Sequence, residues 1–126
     1  MKEAYVKFET AKLLKEKGFN IPSDTSYEDY LWQMYDENGK VHWGIYSSDW
    51  YFRITQQMAC RWLREVKGTT IVIEVGWMVY NNEPYYYALY ARLDDPDKVF
   101  QIKGDFADYQ DCVEAAIKFI LKNVIK

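Results

Sequence analysis

Residues 31–46, LWQMYDENGKVHWGIY, carry the strongest local folding signal in the chain. Two runs rich in aromatic and aliphatic residues flank an Asn38-Gly39 dipeptide. Asn-Gly is typical of the type I′ turn of a β-hairpin, in which both central residues take a positive φ. With the turn there, the predicted register places apolar side chains opposite each other on one face, Met34 with Trp43 and Trp32 with Ile45. The stretch therefore predicts an antiparallel hairpin.

Three further segments have apolar residues at helical spacing: Glu9–Lys17, Gln56–Val66 and Tyr109–Ile125. Each has an end signal, which is Gly18 after the first, Thr55 before the second and Asp108 before the third. The buried stripes of the second and third helices are predicted to comprise Met58, Ala59, Trp62, Leu63 and Val66, and Val113, Ile117, Ile120, Leu121 and Val124.

A second hairpin is predicted from Thr70–Tyr80 and Tyr85–Leu93, which turn through residues 81–84. The predicted register pairs Tyr80 with Tyr86, Glu74 with Arg92 and Gly76 with Tyr90. Its predicted core face comprises Ile71, Ile73, Val75, Trp77, Val79, Tyr87, Leu89, Ala91 and Leu93. A short edge strand, Val99–Lys103, is expected to follow an acidic turn and to point Phe100 and Ile102 inward.

In chain order these elements predict one α+β domain over residues 1–126, with the order α-β-β-α-β-β-β-α. Hairpins form antiparallel sheets, and amphipathic helices cover one face of such a sheet. We therefore expect a two-layer fold with an antiparallel sheet of about five strands, made of two hairpins and a short edge strand, and three helices.

The composition indicates a globular protein and disfavours several functional classes. Apolar residues make up 49% of the chain and charged residues 28%, which excludes intrinsic disorder. The net charge of −3 disfavours a basic nucleic-acid reader. The sequence has no signal peptide and no apolar run of the roughly 18 residues that a membrane span needs, so we expect a cytoplasmic protein without membrane contact. Cys60 and Cys112 lack metal or redox spacing and are expected to be free thiols.

The sequence offers little that points to catalysis or a bound cofactor. His42 is the single histidine, which excludes a metal site built on two histidines, and the glycines fit no phosphate-binding loop. Residues 55–125 follow the element order of a double-stranded RNA-binding domain. However, Asp105, Asp108 and Asp111 open the last helix, where such a domain needs cations. We expect no catalytic residue, cofactor, metal or nucleic-acid partner.

Two surfaces are predicted as binding sites. The second face of the second hairpin carries residue types that protein interfaces use, namely Met78, Tyr80, Tyr86, Tyr90 and Arg92. The alternative is that Trp50–Phe52, in the predicted connection Ser47–Arg53, folds over this face. The last helix carries an apolar strip beside its main stripe, predicted as a seam for self-association or for contact with the first helix: Cys112, Ala115 and Phe119.

Three blocks of the sequence carry a resemblance. Residues 8–19, FETAKLLKEKGF, and residues 57–66, QMACRWLREV, are specific, and Tyr109–Leu121 is a looser third block. Together they resemble a family of small proteins encoded in Bacteroides phages and prophages. That family has no established activity, so no functional residue carries over. What the resemblance implies is a phage accessory protein that works inside a bacterial host cell.

These observations lead to three functional hypotheses. The first is a non-enzymatic protein–protein interaction module, homodimerisation included. The second is an aromatic-lined binder that sequesters a small nucleotide-like ligand, with Arg92 at a phosphate. The third and weakest is a small carboxylate-dependent hydrolase. A flat tyrosine face favours the first hypothesis, and a closed aromatic cleft favours the second.

Overall fold

The computed structural model of the chain describes residues 4–20 and 33–126. Within these residues the elements are α1 Phe8–Glu16, β1 Gln33–Tyr35, β2 Val41–Trp43, β3 Tyr51–Phe52, α2 Gln56–Glu65, β4 Thr69–Met78, β5 Glu83–Arg92, β6 Asp95–Phe106 and α3 Tyr109–Asn123. The predicted α+β class and its three helices are confirmed. The described strands number six rather than about five, and they form two antiparallel sheets, ordered β2-β1-β3 and β4-β5-β6.

The helices form close to their predicted bounds because local signals specify their ends. Gly18 takes the left-handed conformation after α1, with a φ of 95°. The Thr55 hydroxyl accepts the Met58 N–H at 3.1 Å before α2, and the Asp108 carboxylate caps α3 in the same way. The buried stripe of α2 is narrower than predicted, since Val66 is exposed and Trp62 is only half-buried.

The turn of the first hairpin differs from the predicted type. Asp36 donates its N–H to the Lys40 carbonyl at 2.8 Å. The Asp36 carboxylate accepts the N–H groups of Asn38 and Lys40, both at 2.9 Å. Gly39 has a φ of 85°, whereas Asn38 keeps an ordinary negative φ. The Asp36 carboxylate thus favours a longer loop with a single left-handed glycine over the type I′ turn.

This loop shifts the register of the first hairpin and separates the predicted apolar face. Met34 lies opposite His42, and Trp43 lies opposite Gln33. A shift of one residue moves a side chain to the other face of a strand pair. Met34 is therefore buried while Trp43 is 58% exposed. Ile45 lies beyond β2 and is exposed, and Trp32 lies outside the described residues.

The segment predicted as a connection contains a strand. Tyr51–Phe52 forms β3, which pairs with β1 and places Phe52 opposite Met34. A strand of two residues is too short to show alternation in the sequence. The preceding Trp50 stacks its ring on His42 of the same sheet, with 4.4 Å between the centroids. Trp50–Phe52 therefore belongs to the first sheet and does not fold over the second hairpin.

The second hairpin forms with a register that differs from the prediction. Tyr86 lies opposite Val75 rather than Tyr80, and Gly76 lies opposite Tyr85 rather than Tyr90. The observed register differs from the predicted one by five residues, an odd number. The β5 side chains that were predicted to face away from the core therefore face the helices. The residues of this sheet that face α3 are Ile71, Ile73, Tyr86, Ala88 and Tyr90, and those on the opposite side include Tyr87, Leu89 and Ala91.

The last strand is longer than predicted. β6 spans Asp95–Phe106 and follows directly after β5, so the predicted acidic turn is largely strand. Ile102 is buried as expected, and Phe100 shares its face. The core lies where the three helices meet each other and the helix-facing side of β4-β5-β6. Its fully buried aliphatic residues include Leu14, Leu63, Ile117, Ile120 and Leu121.

A buried carboxylate joins the three helices. Glu114 of α3 is 5% exposed, and its oxygens accept the Lys7 N–H at 3.0 Å, the Thr10 hydroxyl and the Gln56 side-chain N–H at 3.1 Å. Lys7 is the N-cap of α1 and has no side-chain cap of its own. Glu114 therefore supplies a negative charge and an acceptor at the positive end of α1.

Candidate functional site

The predicted tyrosine face is divided between the two sides of the sheet. Tyr90 faces α3, stacks on Phe100 at a centroid distance of 5.2 Å and contacts Phe119 at 6.0 Å. Tyr86 meets the Tyr109 ring edge-on at 5.7 Å. Both tyrosines are therefore half-buried and pack against the core on the helix side of the sheet. The remaining members of the set are Met78 and Tyr80 at the far end of the hairpin, and Arg92 at its base.

The predicted self-association strip is occupied largely by internal packing. Cys112 is fully buried, and Ala115 is half-buried. Phe119 packs against the core and touches Tyr90 of β5, a contact that neither interpretation of the strip had included. The strip therefore offers little apolar surface to a partner.

A group of exposed apolar residues larger than Trp43, Ile45 and Tyr46 lies at the far end of the β4–β5 hairpin. These residues are separated in sequence by Gly76 alone and form what we call the apolar hairpin end: Val75, Trp77, Met78, Val79 and Tyr80. Their exposed fractions are 52%, 60%, 39%, 93% and 93%, respectively. Single exposed apolar residues are ordinary, but a contiguous group that includes tryptophan and tyrosine marks an interaction surface.

The apolar hairpin end is exposed because the hairpin extends beyond the elements that cover its base. β6 pairs with β5 only from Tyr86 onward, so Glu83–Tyr85 has β4 as its strand neighbour. The helix α3 begins at Tyr109, which contacts Tyr86. Beyond that level the hairpin is a two-stranded ribbon. Pro84 fits this position, since a ribbon edge tolerates a residue without an N–H.

Contacts within the ribbon favour its observed conformation. The Tyr85 ring covers Gly76 so closely that a Cβ at Gly76 would overlap it. In the turn, the Asn82 N–H donates to the Met78 carbonyl at 2.9 Å, and Asn82 takes a φ of 54°. The Asn81 side-chain oxygen accepts the Glu83 N–H at 3.2 Å.

The predicted burial of Trp77 and Val79 in the core is wrong, since both side chains are exposed. Residues 71–80 are apolar at nearly every position, with Glu74 as the single charge. Such a run does not alternate, so it does not define which side is covered. The absence of alternation is itself the signal that both sides of this strand carry apolar surface.

A cleft of about 540 Å³ contains two of the predicted ligand-binding residues. Its lining comprises Lys67, Tyr90, Arg92, Phe100 and Asn123–Lys126. Tyr90 lies against Phe100 and leaves no slot for a base between the rings, and Arg92 pairs with Asp94 at 3.7 Å. Lys67 and Lys126 add positive charge to the cleft, beside the C-terminal end of α3. The closed ring pair and the Arg92–Asp94 pair count against a nucleotide-like ligand at this position.

The Asp36–His42 pair and the two cysteines are titratable groups in different parts of the fold. His42 Nε2 lies 2.8 Å from the Asp36 carboxylate, and the pKa of Asp36 is lowered first by this hydrogen bond and then by the Lys40 N–H. Burial raises the pKa of the Cys60 thiol to about 11 and also raises that of Cys112. Both cysteines are free, and thiols with a raised pKa are poor nucleophiles at neutral pH.

Comparisons with models of known families, with curated proteins and with solved structures gave no match to this chain. In residues 4–20 and 33–126, no three or more histidine, cysteine or acidic side chains come together in a way that would hold a metal ion. No helix in that same part of the chain is long and apolar enough to cross a membrane.

Proposed function

We propose that the protein is a non-enzymatic protein-binding module and that the apolar hairpin end is its contact surface. The observation that carries this proposal is the exposure of Trp77, Val79 and Tyr80 on one two-stranded ribbon. Tryptophan and tyrosine are enriched among the energetic hot spots of protein interfaces. An apolar ribbon also offers surface on both of its sides, which suits a groove or a sheet edge on a partner.

The resemblance to Bacteroides phage and prophage proteins supplies the biological setting of the proposal. In that setting the protein is a phage accessory factor that acts in the cytoplasm of the bacterial host by occupying a partner. The raised thiol pKa values and the structural use of His42 support a role without catalysis. The partner's contact site is expected to be apolar, since the hairpin end presents few charges.

The proposal is tested by a matched pair of tryptophan variants. Trp77 and Trp43 are 60% and 58% exposed, but Trp43 belongs to the other sheet. Tagged wild type, Trp77→Ser and Trp43→Ser are each incubated with untagged wild-type chain and with Bacteroides lysate, and the bound proteins are cross-linked and quantified. We expect Trp77→Ser to weaken partner binding about 30-fold, the effect of losing a hot spot of ~2 kcal/mol.

Trp43→Ser is expected to leave partner binding unchanged, and both variants should remain folded because exposed positions contribute little to stability. Equal recovery of every partner by the wild type and Trp77→Ser would rule out the hairpin end as the contact surface. Loss of binding in Trp43→Ser alone would assign the contact to the first sheet instead.

A further inference from the structure

We propose that the partner of the apolar hairpin end is a second copy of the chain, paired antiparallel along the outer edge of β4. This inference rests on the proposed function, because it names the partner of the same surface. In the described residues β4 is an edge strand of the sheet β4-β5-β6, with β5 on one side and no strand on the other. Its ten residues carry one charge, Glu74. A long apolar edge is a template for pairing with another strand.

The opposite edge of the same sheet is built to resist such pairing. β6 contains Pro96, which lacks an N–H, and Gly104, whose φ is 127°. Its pairing with β5 is interrupted by register shifts, and it carries charged residues along its length: Asp95, Asp97, Lys98, Lys103 and Asp105. Charges, proline and bulges are the devices by which proteins protect a sheet edge. Within the described part of the chain, the sheet therefore has one protected edge and one open edge, and the open edge is β4.

The sequence of β4 favours an axis at Val75 over one at Glu74. A twofold axis perpendicular to the sheet keeps the helices of both copies on one side. Paired residues then point to the same side of the sheet, so one residue of β4 pairs with the same residue of the other copy at the axis. An axis at Glu74 would place two glutamates directly opposite each other, which is unfavourable. An axis at Val75 places apolar residues together and Glu74 beside a glycine: Val75 with Val75, Ile73 with Trp77, Val72 with Met78, and Glu74 with Gly76.

The same register accounts for the exposure of the hairpin end. Two residues beyond the Ile73–Trp77 pair, on the same side of the sheet, this register brings Val79 of one copy beside Ile71 of the other. Trp77 and Val79 are 60% and 93% exposed in the single chain, whereas Ile71 and Ile73 are half-buried beneath the helices. Each copy would therefore cover the projecting ribbon of the other with the base of its own hairpin. The product is a continuous sheet with both helical layers on one side.

The test uses a second matched pair, Val75→Lys and Val99→Lys. Val75 and Val99 are 52% and 58% exposed and lie on the open and the protected edge of the same sheet, so a lysine fits the single chain at either position. In sedimentation velocity over a dilution series, we expect wild type and Val99→Lys to have twice the 15.1 kDa mass of the chain, and Val75→Lys to have that mass once. Circular dichroism checks that both variants are folded.

The register is tested by cysteine cross-linking. Val75→Cys places the two thiols opposite each other at the axis and should form an intermolecular disulfide under mild oxidation. Met78→Cys serves as the control, because in this register the two Met78 positions lie about 20 Å apart along the strands. Cross-linking of Met78→Cys in preference to Val75→Cys would overturn the register.

The outcomes separate this inference from the proposed function. A monomeric wild type whose partner binding still depends on Trp77 would overturn the second copy as partner and retain the proposed surface. A dimer that survives Val75→Lys, or that Val99→Lys alone dissociates, would overturn the β4 edge. A monomeric wild type that binds nothing through Trp77 would overturn both.

Discussion

At the scale of single residues, buried polar groups position the elements on which the binding surface is carried. Glu114 accepts hydrogen bonds from the backbone of Lys7 and from the side chains of Thr10 and Gln56, which joins three helices at one point. Asp36 organises the first hairpin in a similar way through two backbone N–H groups and His42. In each case one carboxylate accepts hydrogen bonds from several groups that would bond to water in the unfolded chain.

The removal of Glu114 should be strongly destabilising. Glu114→Ala leaves the Lys7 N–H and the Thr10 hydroxyl without this acceptor and leaves Gln56 with the Gln110 carbonyl, so we expect the free energy of unfolding to fall by about 3 kcal/mol. Chemical denaturation measures this change. Glu65→Ala is the control, since Glu65 is exposed and pairs only with Arg61, and it should cost less than about 1 kcal/mol. Equal effects of the two variants would contradict the role of Glu114.

The hydrogen bonds of Asp36 predict a dependence of stability on pH. The pKa of Asp36 in the folded protein lies below its ordinary value of 3.8, first because His42 donates to it. A lowered folded pKa stabilises the fold above the unfolded pKa, and this contribution is lost as the pH falls through the folded value. In urea denaturation, Asp36→Asn should therefore be less stable than wild type at pH 7, and the difference should shrink towards pH 3. A difference that stays constant over this range would contradict the assignment.

At the scale of elements, the helices and the sheets differ in how far the sequence determines them. The ends of α2 and α3 follow from Thr55 and Asp108, because a cap acts on N–H groups within a few residues. The register of a hairpin depends on the length and type of the loop that its turn residues form. Asp36 accepts two N–H groups and shifts the register of the first hairpin by one residue. The apolar run of residues 71–80 has no alternation that would define the register of the second hairpin.

The turn at Gly39 gives a test at this scale. Gly39 has a φ of 85°, and a Cβ there would lie 3.0 Å from the Phe8 ring. Gly39→Val should therefore lower the free energy of unfolding by about 1 kcal/mol or more, from backbone strain and from the clash with Phe8. Thermal or chemical denaturation measures the change. An unchanged denaturation midpoint would show that the turn does not lie at Gly39.

At the scale of the whole molecule, the candidate site was predictable only in part. Met78 and Tyr80, named from the sequence as binding residues, do lie in the apolar hairpin end. Contacts between the sheet and α3 instead use four other predicted residues, Tyr86, Tyr90, Cys112 and Phe119. These contacts depend on a strand register that the sequence does not specify. The exposure of Trp77 depends on where β6 and α3 stop covering the hairpin, which is a property of the assembled fold.

The central claim is that the apolar hairpin end becomes covered when the protein binds its partner. Hydroxyl-radical footprinting read by mass spectrometry measures this directly, by comparing oxidation of Trp77 and Tyr80 in the isolated chain and in the assembled state. The account predicts strong protection of Trp77 and Tyr80 on assembly and unchanged oxidation of Trp43, which is equally exposed on the other sheet. Unchanged oxidation of Trp77 and Tyr80 in the assembled state would contradict it.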